Sequence, residues 1–427
     1  MSEEVSVNTG ALSSDVKLTR SCKNSRDHVA GGFRALHHLA PFIATAVLMG
    51  GCSGAPGGST SSRAIVSQNP APIPAPTPTV GSGPAPPSGT GLTSAACLSA
   101  VNGQQWPTSC RPYASTAPWN IALPDNPQQT SSFPTGLEDG GNAGFSQVWT
   151  ANTSSNGGYP VFFAKSGDPS VTLWCNQSCA SNLPNSIQLP ANAQVAGGSD
   201  HHIAVIQPDG TEYDCWLAGI GGGSLSCAAT GADNIVGGDG IEQPSTTSGN
   251  ALVAGLIRSD EMQTALNTTD GYIPHVLAGK ISCVSGSPVA PFGTSQAALC
   301  QSGTSLPIGA RIQYTLTFSQ IDALSATPYQ KVILRTLHRY GITVEDTDDW
   351  PGNQAARDGF RTQWEDPTPY VVNGQAVPWS TIAPSMGWTY DAGTQTWSGP
   401  DPASADSDFA QHLVVTDPCY ALGTCAI

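Results

Sequence analysis

The chain has 427 residues, of which only 11% are charged, and it carries a formal net charge of −15. An acidic chain without a basic stripe excludes nucleic acid and other polyanions as partners and fits a neutral ligand better. Its 47 glycines and 35 prolines predict short strands, many turns and few long helices.

The N-terminal part is not expected to be fold. A basic segment (Lys17, Arg20, Lys23, Arg26, Arg34) precedes an apolar run from Ala40 to Cys52 that is too short for a membrane span. That is the layout of a secretory signal peptide over residues 1–51. Its end, Leu48-Met49-Gly50-Gly51-Cys52, resembles the bacterial lipoprotein processing box, although Met49 departs from the usual Leu or Val. The resemblance implies lipidation at Cys52, an acyl anchor as the sole membrane contact, and a place on the outer surface or in the periplasm. Residues 52–94, rich in Pro, Gly and Ser, read as an extended tether. Residues 95–427 then form the body, expected as one large, mainly β domain: a β-sandwich or jelly roll with a few packed helices, stapled by disulfides, and a monomer.

Strands are expected at 146–150, 160–164 and 171–174. A hairpin follows across Ser199 to Trp216. Residues 217–231, rich in glycine, complete a second hairpin. Ala251 to Ile257 is a buried apolar run, and Ser259 is a plausible N-cap for a short helix. Strands at 273–278 and 311–317 lead to the clearest helix, Pro328 to Tyr340, with Pro328 in its first turn and Gly341 at its C-terminus. His338 lies toward its polar side and reads as surface. A strand at 342–344, an acidic loop from Glu345 to Trp350, and an irregular stretch with four scattered tryptophans close the chain.

Ten cysteines remain after Cys22 and Cys52, an even number that implies disulfides in an exported protein. Pairing by proximity gives 97–110, 175–179, 215–227, 283–300 and 419–425. Zinc ranks lower, because no Cys-x-x-Cys pair occurs.

No P-loop, dinucleotide fingerprint or H-E-x-x-H is present, and no cofactor is expected. Ala383-Pro384-Ser385-Met386-Gly387 comes close to a hydrolase elbow, but no strong β run precedes it. The hairpin is the strongest lead. The Pro208-Asp209-Gly210 turn pairs Gln207 with Thr211, Ala204 with Asp214 and His202 with Trp216. Asp200, His202, Glu212, Asp214 and Trp216 then share one face, and Ile203, Val205, Tyr213 and Cys215 share the other. An imidazole among carboxylates suits general acid/base work, and a tryptophan beside carboxylates suits a sugar ring.

Asp239, in Gly237-Gly238-Asp239-Gly240, and His275, between Ile273 and Leu277, are further candidates for the chemistry. Glu212, Trp216, Arg258 and Glu261 are candidates for substrate binding. Glu345 to Asp349 lacks the EF-hand pattern, and no metal site is assigned. The ordinary alternatives are a solvated sheet face, a turn at Asp239 and a satisfied core histidine at 275.

The stretch Asp200 to Trp216, of the form D-x-H…D-G-x-x-Y-D-x-W, together with Ala254-Gly255-Leu256-Ile257-Arg258-Ser259-Asp260-Glu261, Ile273-Pro274-His275 and the Pro307 to Gly341 region, resembles a family of exported bacterial proteins. The resemblance covers roughly residues 195 to 350 and implies a shared fold and export, not a reaction. The leading functional expectation is a glycoside hydrolase acting on a neutral polysaccharide, with Asp200, Asp214 and Asp239 as candidate carboxylates. A non-catalytic glycan-binding or adhesion protein and a polysaccharide lyase are the alternatives.

Overall fold

The computed structural model describes residues 98–99, 101, 110–132, 147–149, 158–241, 243–281, 284, 287–293, 306–347, 361–392 and 396–425. The expected signal peptide, the lipidation site Cys52 and the tether lie outside the described residues. So do Cys97, Cys283, Cys300, Glu242 and the end of the acidic loop. All described residues belong to one unit, Thr77–Ile427.

The strands follow the chain as β1 (Gln129–Ser132), β2 (Gln147–Trp149), β3 (Gly158–Tyr159), β4 (Val161–Phe163), β5 (Ser170–Cys179) and β6 (Ser186–Gln188). Next come β7 (Ile203–Ile206), β8 (Thr211–Trp216), β9 (Gly219–Gly221), β10 (Ser224–Asn234), β11 (Leu277–Ile281) and β12 (Arg311–Tyr314). The last are β13 (Ile342–Thr347), β14 (Arg361–Thr362), β15 (Trp364–Glu365), β16 (Thr389–Asp391), β17 (Thr396–Ser398) and β18 (Leu413–Thr416).

A six-stranded sheet runs β1-β18-β12-β13-β11-β14, and a seven-stranded sheet runs β4-β7-β8-β10-β5-β6 with β9 added beside β10. The body is strand-rich, as expected. Three ladders of these sheets are parallel, β4 with β7, β5 with β10 and β11 with β13. A jelly roll, built from antiparallel strands, has no such pairs.

Two apolar clusters cover opposite faces of β7 and β8. The larger takes Ala204 and Ile206 together with residues of the six-stranded sheet such as Leu277, Ile312 and Val344. The smaller takes Ile203, Val205 and Cys215 with Phe162, Leu173 and Leu225. Three of the expected disulfides are present among the described residues, Cys175–Cys179, Cys215–Cys227 and Cys419–Cys425. No helix among the described residues is long and apolar enough to cross a membrane.

The helix expected over 328–340 spans Pro328–Arg339. Thr327 Oγ1 accepts the Gln330 N–H, and the Gln330 side chain accepts the Thr327 N–H, so a capping box fixes its start. His338 is not on the surface. It is buried, with its ring 5.5 Å from Phe318 and Nε2 3.4 Å from Asp125. Periodicity finds the most apolar face of a helix; here Phe318, at the start of a preceding helix (Phe318–Ala323), covers a second one.

Three other boundaries moved. Ala251 to Ile257 is buried but winds through turns, with Gly255 at φ +75° packed against the backbone of Ala278. The helix begins at Ser259 itself, one residue earlier than an N-cap at Ser259 allows, because Glu365 accepts the Ser259 N–H. The strand expected from Ile273 begins at Leu277. The scattered tryptophans have a reason: Trp364, Trp379 and Trp388 stack edge-to-face with one another and with Tyr329 in the main core.

Candidate functional site

The hairpin has the expected register. Ala204 pairs with Asp214 and Ile206 with Glu212, and the Gln207 N–H donates to the Thr211 carbonyl at 2.7 Å. Gly210 takes the left-handed position, φ +85°. The acid-bearing face, however, does not open into a cleft. It lies against the larger core, and Glu212 and Asp214 are buried.

Those two acids act as a clamp on neighbouring backbone. Glu212 Oε2 accepts the Tyr113 hydroxyl at 2.6 Å and Oε1 the Val253 N–H at 3.2 Å. Asp214 Oδ2 accepts the Leu252 N–H at 2.8 Å. The two carboxyls interact with each other, and burial raises both, so the folded pair holds protons more tightly than free acids do. Burial first, and then the Glu212 charge, hold the Asp214 acid well above its ordinary value.

His202 shares that covered side, 7% exposed, with Tyr159 edge-on at 5.0 Å. Burial, then Lys280, lower its pKa to about 4, so it is neutral at pH 7. Lys280 itself pairs with Asp346 at 3.1 Å. Asp200, at the hairpin's entry, accepts the Leu217 N–H through its carbonyl. Asp239 is exposed and makes an Asx turn to the Ile241 N–H at 3.0 Å. The expected catalytic set is therefore not gathered: His202 and Asp214 are packed under apolar side chains, and Asp239 stands in a surface turn. Alternation identified two faces of the hairpin but not that both are covered.

The second group of candidates converges better. Arg258 is fully buried and donates to Glu261 Oε1 at 2.6 Å. Glu261 Oε2 meets His275 Nε2 at 3.1 Å, and His275 Nδ1 lies 2.8 Å from the Val276 carbonyl. Burial raises the Glu261 pKa, but Arg258 and then His275 pull it down to about 2. His275 is thus a satisfied core histidine, and Arg258 with Glu261 forms a buried pair that steadies the start of the helix Ser259–Leu266.

Asp260, in the same turn, points the other way. It lines a cleft of about 320 Å³ together with Glu365, Tyr370, Phe162, Phe163, Pro190 and Pro369. Glu365 reaches this place because β15 lies in parallel register between β3 and a bridge at Ile257, which turns Trp364 into the core and Glu365 away from it. Three donors hold its carboxylate: the Ser259 N–H at 3.1 Å, the Ser259 hydroxyl at 2.9 Å and the Tyr370 hydroxyl at 2.8 Å. Burial, then the nearby Asp260, raise its pKa.

Asp260 has no side-chain donor among the described residues; the backbone N–H groups of its own turn, at Asp260 and Glu261, face it, and its nearest cation is Arg258 Nη1 at 3.9 Å. Burial raises its pKa against the pull of Arg258. Two acids with different hydrogen-bonding therefore line a cleft of mixed character, with Phe162, Phe163 and prolines beside Tyr370, Asn373 and Gln375. Sequence reading singled out Arg258 and Glu261 beside Asp260 but missed Glu365 and Tyr370, which lie more than a hundred residues away in the chain.

No protein-family model, curated protein or solved structure matches this chain.

Proposed function

We propose that the chain is an exported glycan-active enzyme, a glycoside hydrolase acting on a neutral polysaccharide, with its site in the Asp260–Glu365 cleft. The observation that carries this reading is the unlike environment of the two acids. Glu365 is buried and accepts from three donors that favour the ionised carboxylate, whereas Asp260, partly exposed, meets no side-chain donor, and desolvation holds its pKa up against the pull of Arg258. Glycoside hydrolysis asks for that division. Asp260 donates its proton to the glycosidic oxygen as the C1–O bond breaks. Water adds at C1, its proton passes to Glu365, and a new reducing end is released.

The lining supports a neutral substrate. Phe163 and Tyr370 offer apolar and aromatic surface to a sugar ring, and no lysine or arginine lines the cleft to neutralise a uronate. That also disfavours the lyase alternative. Export belongs to the same reading, since disulfides persist in oxidising compartments and the N-terminus has a basic-then-apolar order. The larger core, contributed by both large sheets, supports a sandwich-like layering of the body.

The test is direct. The purified chain is incubated with a panel of neutral polysaccharides, and new reducing ends are measured for wild type, Asp260→Asn and Glu365→Gln, with circular dichroism to verify folding. Release by wild type and its loss in both variants supports the reading. Release that survives either substitution, or no release from any member of the panel, overturns it.

A further inference from the structure

We infer that the outer part of the seven-stranded sheet is a second glycan-contacting surface: a flat, uncharged platform on which a neutral polysaccharide stacks a pyranose ring against Trp174. This goes beyond the cleft, and none of the platform residues lines it.

The platform follows from the ladders. Thr172 pairs with Ser186 on one side and Ser224 on the other, and Ser224 pairs with Gly221. One step along, Trp174 pairs with Ser226. These positions alternate with Leu173 and Leu225, which belong to the smaller core, so they occupy the opposite face. Four neighbouring strands, β6, β5, β10 and β9, span about 14 Å at ordinary strand spacing. At Gly221 an added Cβ would meet no atom within 4 Å, so the face is open there. The serine hydroxyls lie low, Ser224 Oγ donating to the Gly221 carbonyl at 2.8 Å and Ser226 Oγ to the Gly219 carbonyl at 3.1 Å. Their lone pairs remain as acceptors for sugar hydroxyls.

Trp174 is the most exposed large apolar side chain among the described residues, at 60%. Its strand is not loose. Cys175, the next residue, is bonded to Cys179, and Cys215–Cys227 ties β8 to β10. An aromatic plane held outward on a braced sheet loses little freedom when a ring stacks on it.

Charge selects the partner. Between Asp168 and Asp200, and again between Asp214 and Asp233, the sequence contains no Asp, Glu, Lys or Arg. Both stretches contribute to this face. A polyanion or an anionic lipid surface would find no cation here, and a partner protein would find one tryptophan in place of an apolar patch. Hydroxyls, glycines and an exposed indole complement a neutral carbohydrate.

The experiment uses the full chain in depletion binding to insoluble neutral polysaccharides (cellulose, chitin, a neutral β-glucan), with pectate as the anionic control. Wild type is expected to bind at least one neutral solid and not pectate. Trp174→Ala is expected to bind roughly tenfold more weakly, and Thr172→Glu to weaken binding by placing a charge on the face. Asp239→Asn, in a surface turn outside both the cleft and the platform, should bind as wild type does and hydrolyse soluble oligosaccharides at the wild-type rate. Binding without hydrolysis therefore sinks only the cleft reading. The platform is overturned if Trp174→Ala binds like wild type, if no neutral solid is bound, if pectate is bound best, or if sedimentation shows that Trp174 instead mediates self-association.

Discussion

The clamp formed by Glu212 and Asp214 makes stability depend on pH in a direction opposite to that of ordinary surface carboxylates. At pH 7 the unfolded chain has both acids ionised, while burial in the folded chain raises Glu212 to about 7 and Asp214 well above its ordinary value, so the pair retains a proton. Both folded pKa values are raised, so the stabilisation is complete below the unfolded values and is lost as pH climbs toward the folded ones. With one proton bound only in the native state, unfolding free energy falls by about 1.4 kcal/mol per pH unit across this window. Asp214→Asn removes the requirement. Its amide donates to Glu212 without a proton from solvent, and its oxygen still accepts the Leu252 N–H. Relative to wild type, the variant should therefore gain about 2.7 kcal/mol between pH 6 and pH 8. Urea unfolding at half-unit steps measures both slopes, and their difference isolates this pair from other raised acids such as Glu345 and Asp366. Parallel slopes for the two proteins, or a wild type that gains on the variant as pH rises, would refute the shared proton.

Other expectations follow from the cleft and its supports. Asp260→Asn and Glu365→Gln should each lower turnover by about 10²–10⁴-fold, read as reducing ends released, whereas Asp239→Asn should leave turnover unchanged. Glu261→Gln strips Arg258 and His275 of their buried partner and should cost about 3–5 kcal/mol in urea unfolding at pH 7. Because the Glu261 pKa is depressed when folded, that gap should shrink as pH falls from about 5 toward 2. Gly255→Ala adds a Cβ 2.6 Å from the Ala278 nitrogen at positive φ, so a loss of roughly 3 kcal/mol or more is expected in thermal melts.

What could be read from the sequence was local. The register of the Gln207–Thr211 turn, the helix from Pro328 and three cysteine pairs obey rules that act over a few residues. His202, Glu212 and Asp214 show where such rules end. Period-two alternation sorts side chains onto two faces, but only the packing of Tyr113, Leu252 and Val253 shows that the polar face is covered. The cleft was half legible. Arg258, Asp260 and Glu261 stood out after a buried run, yet Glu365 takes its role from Ser259, 106 residues away. A two-residue strand such as Trp364–Glu365 is too short to announce itself by pattern. The acid directly after a core tryptophan was its one visible sign.

The strand β18 sits between β1 and β12, inside the six-stranded sheet, although it is the last of the six to be synthesised. Until Leu413 to Thr416 emerge, β1 has no neighbour and β12 keeps a bare edge, so that sheet closes only after translation has passed residue 416. Late closure of this kind leaves the nascent polypeptide with unpaired strand edges until synthesis is almost complete. It also makes any nick upstream of β18 far more damaging than its distance from the cleft would suggest.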